Sequence, residues 1–327
     1  MHGTFTHPDW DGWEGTSSDP NDRQFGDITA ALEPTETTDV PIVLVGEPYD
    51  GAVIGRKGTR EGPLEIRRSL ASTKAAHLSA GAPSLEGESN APDESMAVIG
   101  DLGDLELPGS GVADVQASVR TAAAAIYELD AVPIFLGGDN SLTYGNVVPL
   151  LENEDGGDVG VINFDAHLDC REVHHEPTSG TPYRQLHEAG LEAYVAVGAR
   201  HFETSSRYVE YVREQGGTIV PADAFADGPR AVVETVQNAL ATVDTLYLSV
   251  DCDVLDASAA PGVSAPTPGG LTTRELFAAV GALVADERLA GVEIVECAPP
   301  LDTNGRTVDA AARTVAHAIR GVLEANS

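Results

Sequence analysis

The stretch VGVINFDAHLD, residues 159–169, joins a short apolar run to a polar end. The run VGVINF has the length and composition of a buried strand. Three potential metal ligands at alternate positions follow it directly, namely Asp165, His167 and Asp169. TLYLSVDCD, residues 245–253, and PIFLGGDNS, residues 133–141, end in the same way. Buried strands that deliver polar side chains at their carboxyl ends are typical of parallel α/β sheets, in which ligands bind beyond those ends.

Apolar runs and helix-like stretches alternate on both sides of this segment. Eight runs predict strands, at residues 41–45, 97–99, 133–136, 159–164, 194–197, 218–220, 245–250 and 291–295. Stretches with apolar residues at helical spacing lie at residues 112–129, 230–241, 272–284 and 308–324. Parallel strands need long right-handed crossovers, so this alternation predicts an α/β fold with three α/β/α layers. Its sheet is expected to be mainly parallel and doubly wound, with about eight strands.

The first 40 residues differ in character from the rest of the chain. They are rich in Asp, Thr, Ser and Pro, which predicts an irregular N-terminal arm with a short helix near residues 28–32. Trp10 and Trp13 are candidates for pinning the arm to the body. Residues 81–94 predict a surface loop, and no linker divides the chain. We therefore expect residues 41–327 to form a single catalytic domain.

The charge balance is strongly acidic. The 327 residues include 52 acidic and 19 basic side chains, a formal net charge of −33, and the only lysines are Lys57 and Lys74. Such a charge repels phosphate backbones and anionic membrane surfaces, so we expect the protein to bind neither nucleic acid nor membranes. Because salt screens the self-repulsion, the acidic excess favours a halophilic protein. An ordinary acidic protein is the alternative.

Cysteine content and the N-terminus bear on the compartment. Cys170, Cys252 and Cys297 lie far apart and form no CxxC pair, so neither a disulfide framework nor a thiolate zinc site is indicated. The sequence shows no signal-peptide pattern at its start and no apolar stretch of about 18 residues. These features predict a cytoplasmic protein.

The aspartates at the strand ends predict a metal centre. Asp165 with Asp169, and Asp251 with Asp253, place carboxylates close together, where they repel one another unless cations neutralise them. Four carboxylates balance two divalent cations, and oxygen ligands with one imidazole favour manganese. The alternative is that each Asp caps the helix that follows, but capping does not require a second acid two positions away on each of two strands.

Several segments of the sequence resemble those of a known family. The segments GGDNS, residues 137–141, DAHLD, residues 165–169, and SVDCDVLDASAAPGVSAPTPGGL, residues 249–271, resemble the signature blocks of the ureohydrolase superfamily of arginases and agmatinases. The similarity extends to residues 46–67, 100–104 and 294–302. It implies an arginase-like fold with two Mn²⁺ per subunit that activate a bridging hydroxide. It also implies a homo-oligomer, either a trimer or a hexamer.

The resemblance also implies roles for individual residues. Asp165 and Asp251 would bridge the metals, His167 and Asp253 would complete one coordination sphere, and Asn140 and Asp169 the other. Asp169 would also contact the hydroxide. Glu296 would hydrogen-bond the amidine nitrogens of the substrate, so the implied catalytic residues are Asp169 and Glu296.

Two departures from the wider family indicate which subfamily the sequence resembles most. Most members have His where this chain has Asn140, and an amide oxygen is a weaker ligand. Either the first metal is held less tightly, or Asn140 lies outside the coordination shell with water in its place. Asp169 and Arg171, followed by SGTPYRQ at residues 179–185, resemble formimidoylglutamases, which hydrolyse N-formimidoyl-L-glutamate to glutamate and formamide in histidine degradation. Tyr183 falls about where arginases place a proton-shuttling histidine.

The charges of the possible substrates agree with the resemblance to formimidoylglutamases. Formimidoylglutamate is a small amidine that carries two carboxylates, so its pocket needs a cation. Arg171 could pair with one carboxylate, and Ser179 or Arg184 with the other. The alternative for each arginine is a surface ion pair.

Other possibilities stay open. His174, His175 and His201 are either solvated residues or minor contributors to the pocket. Agmatine or another guanidino compound is the alternative substrate. A non-catalytic member of the family that binds a metal or ligand is the alternative outside the enzymes.

Overall fold

The computed structural model describes residues 5–19, 21–33, 40–78, 98–109, 111–153 and 155–325. The predicted loop at residues 81–94 lies outside this part. The strands are β1 Phe5–Thr6, β2 Thr29–Ala31, β3 Ile42–Glu47, β4 Ile99–Leu105, β5 Val132–Gly137, β6 Val159–Phe164, β7 Ala193–Ala199, β8 Thr218–Pro221, β9 Thr245–Asp251 and β10 Leu289–Val295. The helices are α1 Gly62–Ala71, α2 Val112–Ile126, α3 Thr143–Glu152, α4 Pro182–Glu188, α5 Ser206–Glu214, α6 Pro229–Ala239, α7 Thr273–Leu283 and α8 Arg306–Ala325.

The strands form one mainly parallel sheet. Their order is β1-β4-β3-β5-β10-β9-β6-β7-β8, with β2 also on β4. Every pair is parallel except β1 with β4. Strands β3 to β10 overlap the eight predicted runs, although β4 shares only Ile99 with the run predicted at residues 97–99. Strands β1 and β2 bring the described sheet to ten strands.

Helices cover both faces of the sheet, as a doubly wound fold requires. Successive strand residues alternate between two core clusters, because side chains along a strand point to opposite faces. Ile42 and Leu44 belong to a core cluster that includes residues of α1, α6, α7 and α8, whereas Val43 and Val45 belong to a second cluster that includes residues of α2 to α5. This alternation confirms the prediction of three α/β/α layers. Within the described ranges, no helix has both the length and the apolar character that a membrane crossing requires.

The N-terminal arm is more ordered than predicted, so its description as irregular was wrong for β1 and β2. The predicted helix at 28–32 is also wrong: a 3₁₀ turn spans Phe25–Ile28, and β2 follows it. The exposed edge of β4 explains both corrections, because arm residues satisfy backbone groups that would otherwise lack partners. Trp13 pins the arm as predicted, since its Nε1 donates to Asp101 Oδ2 at 2.7 Å.

Four adjacent strands position the candidate site. In sheet order these are β5, β10, β9 and β6, and all four run parallel. The chain leaves their carboxyl ends at Asn140, Glu296, Asp251 and Asp165 or close to them. The fold therefore brings residues far apart in sequence to one edge of the sheet.

Candidate active site

The segment after β6 carries three of the expected metal ligands. Asp165 is fully buried, and its Oδ1 accepts a hydrogen bond from the backbone N of His167 at 2.7 Å. Asn163 Nδ2 donates to Asp165 Oδ2 at 3.2 Å. Asp169 has a positive φ of 38°, which is uncommon for a residue with a side chain. Strained backbone conformations of this kind occur mostly at functional sites, where the surrounding structure holds them in place.

The segment after β9 has a similar design. Asp251 Oδ1 accepts a hydrogen bond from the backbone N of Asp253 at 2.8 Å and caps a 3₁₀ turn over Cys252–Val254. Arg200 is buried and donates to the carbonyls of Asp253 and Leu255, which fixes this turn. Cys252, the first residue of this turn, is buried within the apolar core.

The two segments form overlapping groups of potential ligands. One group is Asp165, His167 and Asp253, and the other is Asp165, Asp169 and Asp251; within each, the ligand atoms lie within 4.8 Å of one another. His167 Nδ1 lies 3.3 Å from Asp165 Oδ1 and 3.2 Å from Asp253 Oδ2. Because Asp165 belongs to both groups, the arrangement has the form of two adjacent cation sites.

The electrostatics of this cluster call for added positive charge. Burial raises the pKa of Asp169 and Asp251 well above the usual range, and the charges of Asp165 and Asp253 raise it further. Burial lowers the pKa of His167, but its hydrogen bonds to Asp165 and Asp253 outweigh that effect and raise it to about 12. A bound cation would relieve the same repulsion.

Asn140 and Glu296 complete the cluster from β5 and β10. Asn140 Nδ2 donates to Asp169 Oδ2 at 2.7 Å, so the amide nitrogen faces the carboxylate group. The backbone N of Asn140 donates to Glu296 Oε1 at 3.1 Å. Glu296 has a positive φ of 62°, and its buried Oε2 has no hydrogen-bond partner within the described structure. An unpaired buried carboxylate oxygen beside a cavity is available to a ligand.

A cavity of about 140 Å³ opens onto these residues. Its lining includes three of the four predicted substrate contacts, Arg171, Ser179 and Glu296. Arg171 is exposed at the mouth, and its backbone N donates to Gly180 O at 2.9 Å. The full lining is Ile54, Gly55, His167, Asp169, Arg171, Ser179, Gly180, Asp251, Asp253, Ser264, Ala265 and Glu296.

Several candidates from the sequence lie elsewhere. Arg184 does not line this cavity; its guanidinium sits 3.3 Å from the centroid of the Tyr211 ring, and its Nε donates to Cys170 O at 3.2 Å. His174 and His175 are exposed and also lie outside the lining. His201 pairs on the surface with Asp223, with Nε2 and Oδ2 3.2 Å apart.

Sequence reasoning missed three contributors to the site. Arg200 braces the turn after β9, and the loop after β3 brings Ile54 to the cavity wall. Glu293 lies buried behind Asn140 on β10. The sequence signal for Ile54 was its place in residues 46–67, which resemble the ureohydrolases. The signal for Glu293 was an acidic residue inside the apolar run of a predicted strand.

The fold and the site together define an α/β protein with a candidate two-metal centre at the carboxyl edge of a parallel sheet. The sequence profile described as "Arginase family" matches residues 40–320, and the chain belongs to this family. The expected family membership is thereby confirmed.

Individual proteins agree with this assignment. A formimidoylglutamase from Halobacterium salinarum is 55% identical over 312 residues, which cover 94% of this chain and 97% of the relative. The crystal structure of a formimidoylglutamase from Bacillus subtilis superposes with a TM-score of 0.82 at 29% identity, covering 94% of each chain. A variant of a Trypanosoma cruzi formiminoglutamase, solved with Mn²⁺, superposes with a TM-score of 0.78 at 25% identity, covering 92% of this chain and 98% of that one. The source of the first relative fits the halophilic character expected from the net charge.

Proposed function

We propose that this protein hydrolyses N-formimidoyl-L-glutamate to L-glutamate and formamide, with two Mn²⁺ per chain. It is a hydrolase of the C–N bonds of linear amidines. The observation that carries the proposal is that one cavity is lined both by the carboxylate cluster with Glu296 and by Arg171 and Ser179. The name of the Halobacterium salinarum relative points to the same substrate.

The donor set fits two divalent cations. His167 and Asp253 would hold one ion, and Asp169 and the side chain of Asn140 the other, with Asp165 and Asp251 shared. Carboxylate oxygens with one imidazole suit Mn²⁺. When bound, such a pair of ions supplies a hydroxide nucleophile at neutral pH and polarises the amidine.

The protein side chains position the substrate and move the protons. Glu296 Oε2, which has no partner in the described structure, accepts N–H groups of the amidine and holds its carbon beside the cluster. The oxygen of water adds to that carbon, and the C–N bond to the glutamate nitrogen breaks. Asp169 takes the proton that the nucleophile loses and passes one to the departing amine.

The substrate carboxylates account for the basic side of the pocket. Arg171 at the mouth pairs with one carboxylate, and Ser179 donates to the other. Arg184 has no part in this proposal, because its guanidinium is stacked on Tyr211 outside the cavity. Agmatine carries an ammonium group where formimidoylglutamate carries carboxylates, so Arg171 would repel it. Arginine has one carboxylate beside its ammonium group, so it offers Arg171 a weaker partner than the two carboxylates of formimidoylglutamate.

The remaining expectations belong to the same proposal. We propose that residues 41–327 form one catalytic domain, that copies associate as a trimer or hexamer, and that the enzyme works in the cytoplasm. Three buried free thiols, those of Cys170, Cys252 and Cys297, suit a reducing compartment. The net charge of −33 disfavours nucleic-acid and membrane partners.

The test compares substrates and variants in molar KCl with added Mn²⁺. Formamide and glutamate release is measured with formimidoylglutamate, beside urea release from agmatine and arginine. Arg171→Ala should lower kcat/KM for formimidoylglutamate roughly 10- to 100-fold, mainly through KM, because a charge-assisted pair is lost. Arg230→Ala is the matched control, since Arg230 is exposed and, among the residues that the structure describes, its one ion-pair partner is Glu234 along α6. Turnover of agmatine but not of formimidoylglutamate would overturn the proposal.

A further inference from the structure

A buried hydrogen-bonded chain lies directly behind Asn140. Thr143 Oγ1 is 2.7 Å from Asn140 Oδ1 and 2.6 Å from Glu293 Oε1. All three side chains are at least 99% buried, so water does not compete for these contacts. Thr143 is the first residue of α3, three positions after Asn140, and Glu293 lies on the neighbouring strand β10.

The polarity of this chain is set at its far end. Glu293 Oε2 accepts hydrogen bonds from Asn146 Nδ2 at 3.0 Å and from the Tyr247 hydroxyl at 2.9 Å. Burial raises the pKa of Glu293, but its hydrogen bonds from Thr143, Asn146 and Tyr247 oppose this shift because they favour the ionised form. With Glu293 ionised, Oε1 is the acceptor that faces Thr143. A threonine hydroxyl has one proton but can accept as well as donate. If it donates to Glu293, it can only accept from Asn140, and an amide offers a proton only from its nitrogen.

The orientation of the Asn140 amide decides which atom faces the cation site. The amide nitrogen lies on the Asp169 side in the structure, where it pairs with the carboxylate. A half-turn about the Cβ–Cγ bond exchanges Nδ2 and Oδ1 in nearly the same volume. The rotated amide would donate to Thr143 Oγ1 and direct its oxygen at the cation site. An amide nitrogen bearing two protons cannot ligate a metal ion, whereas an amide oxygen can.

We propose that Thr143, oriented by Glu293, is a positioning residue that turns the Asn140 oxygen toward the metal. The inference rests on the metal site of the proposed function. It gives Thr143 a task that valine, which has the same shape, cannot perform. It also explains why a neutral amide can serve at this position: the amide has a fixed acceptor behind it for its own N–H group.

The experiment measures Mn²⁺ binding to the metal-free protein by titration calorimetry, without substrate. Wild type and Thr143→Ser should each bind two ions, because serine keeps the hydroxyl. Thr143→Val should bind one ion normally and the other roughly 10- to 100-fold more weakly, which is the usual effect of losing a residue that orients a ligand. Circular dichroism and melting of the metal-free variants check that each one folds.

Glu293→Gln is a second probe that changes no volume. Asn146 and Tyr247 donate at the Oε2 position, so the glutamine oxygen must take that place and its nitrogen must face Thr143. The hydroxyl then accepts from Gln and donates to Asn140 Oδ1, which holds the amide with its nitrogen toward the metal. We expect the same selective loss of one Mn²⁺ as in Thr143→Val.

A double-mutant cycle tests whether Thr143 acts through Asn140. In an Asn140→Ala background, Thr143→Val should change Mn²⁺ affinity less than about twofold, because its route to the metal is gone. Full two-ion binding by Thr143→Val, or an equal loss in both backgrounds, would overturn the inference. Hydrolysis of formimidoylglutamate by the wild type is measured separately. If the wild type is active and Thr143→Val binds both ions normally, only the positioning role is refuted. If the wild type is inactive and Thr143→Val loses one ion selectively, only the proposed substrate is refuted.

Discussion

Glu47 is a buried acid whose ionisation should limit stability at alkaline pH. It is the last residue of β3 and is fully buried, and its Oε2 accepts a hydrogen bond from Asn146 Nδ2 at 3.0 Å. Its Oε1 has no hydrogen-bond partner in the described structure. Burial raises the pKa of Glu47 from 4.5 to about 8; the Asn146 hydrogen bond opposes this shift and the charge of Glu293 adds to it.

The sign and size of the effect follow from proton linkage. Between pH 4.5 and 8 the folded state holds a proton on Glu47 that the unfolded chain has lost, so the free energy of unfolding falls as pH rises. Each pH unit costs about 1.4 kcal/mol, and the full interval costs up to about 5 kcal/mol. Glu47→Gln cannot ionise, so it lacks this loss. Its nitrogen would take the unpartnered Oε1 position, at a pH-independent cost of about 1–3 kcal/mol.

The assay is denaturant unfolding of wild type and Glu47→Gln from pH 5 to 9 at one KCl concentration. The difference between the two unfolding free energies isolates Glu47, since all other groups titrate in both proteins. It should move in favour of the variant by several kcal/mol and level off above about pH 8. Glu192→Gln, on the exposed surface, controls for the loss of one negative charge. Parallel curves for wild type and Glu47→Gln would refute the reasoning.

Two further predictions concern stability. Burial, with the charge of Arg184, lowers the pKa of His187 to about 4, so the unfolded chain takes up its proton first as pH falls below 6.5. His187→Phe should therefore remove about 3 kcal/mol of the stability loss between pH 6.5 and 4; equal acid sensitivity of both proteins in unfolding curves would contradict this. Trp13→Phe loses the hydrogen bond to Asp101, so it should lower the free energy of unfolding by about 1–3 kcal/mol and expose the arm to limited proteolysis, and an unchanged cleavage rate would count against the pinning role.

The centre of the fold could be predicted from the sequence because its strands are buried on both faces. Such strands read as continuous apolar runs; β6 ends where its run ends, and β9 ends one residue beyond its run. The helices with long apolar stripes, such as α2 and α8, were predicted from apolar residues at helical spacing. Helices α3 and α4 were not, because α3 contains Pro149 and α4 has only seven residues, too few for a periodic pattern.

The arm was misjudged because its structure depends on a distant partner. Residues 29–31 have no strand pattern of their own and pair with Ile99, Gly100 and Asp101 on β4. The tie from Trp13 to Asp101 spans 88 residues. Local sequence carries no information about such pairing, since the edge of β4 supplies the unpaired backbone groups.

The arrangement of the candidate site was predictable where strand ends carry the candidate ligands, and less so where side-chain direction decides. The spacing of Asp165, His167 and Asp169 sufficed to bring them together, because one strand end holds all three. Arg171 and Arg184 are near neighbours in sequence, yet one lines the cavity and the other stacks on Tyr211. The direction of each guanidinium depends on tertiary contacts that no local pattern records.

The two interpretations of the aspartates, helix cap and metal ligand, are compatible because a carboxylate has two oxygens. Asp165 and Asp251 each use Oδ1 to accept the backbone N–H two residues on, at 2.7 and 2.8 Å. This local turn fixes the side chain and sets the next candidate ligand, His167 or Asp253, at the alternate position. The spacing of two is thus a property of the turn as much as of the metal. Turns and buried hydrogen-bond partners hold these charged side chains together, so the cluster is preorganised for the cations of the proposed function.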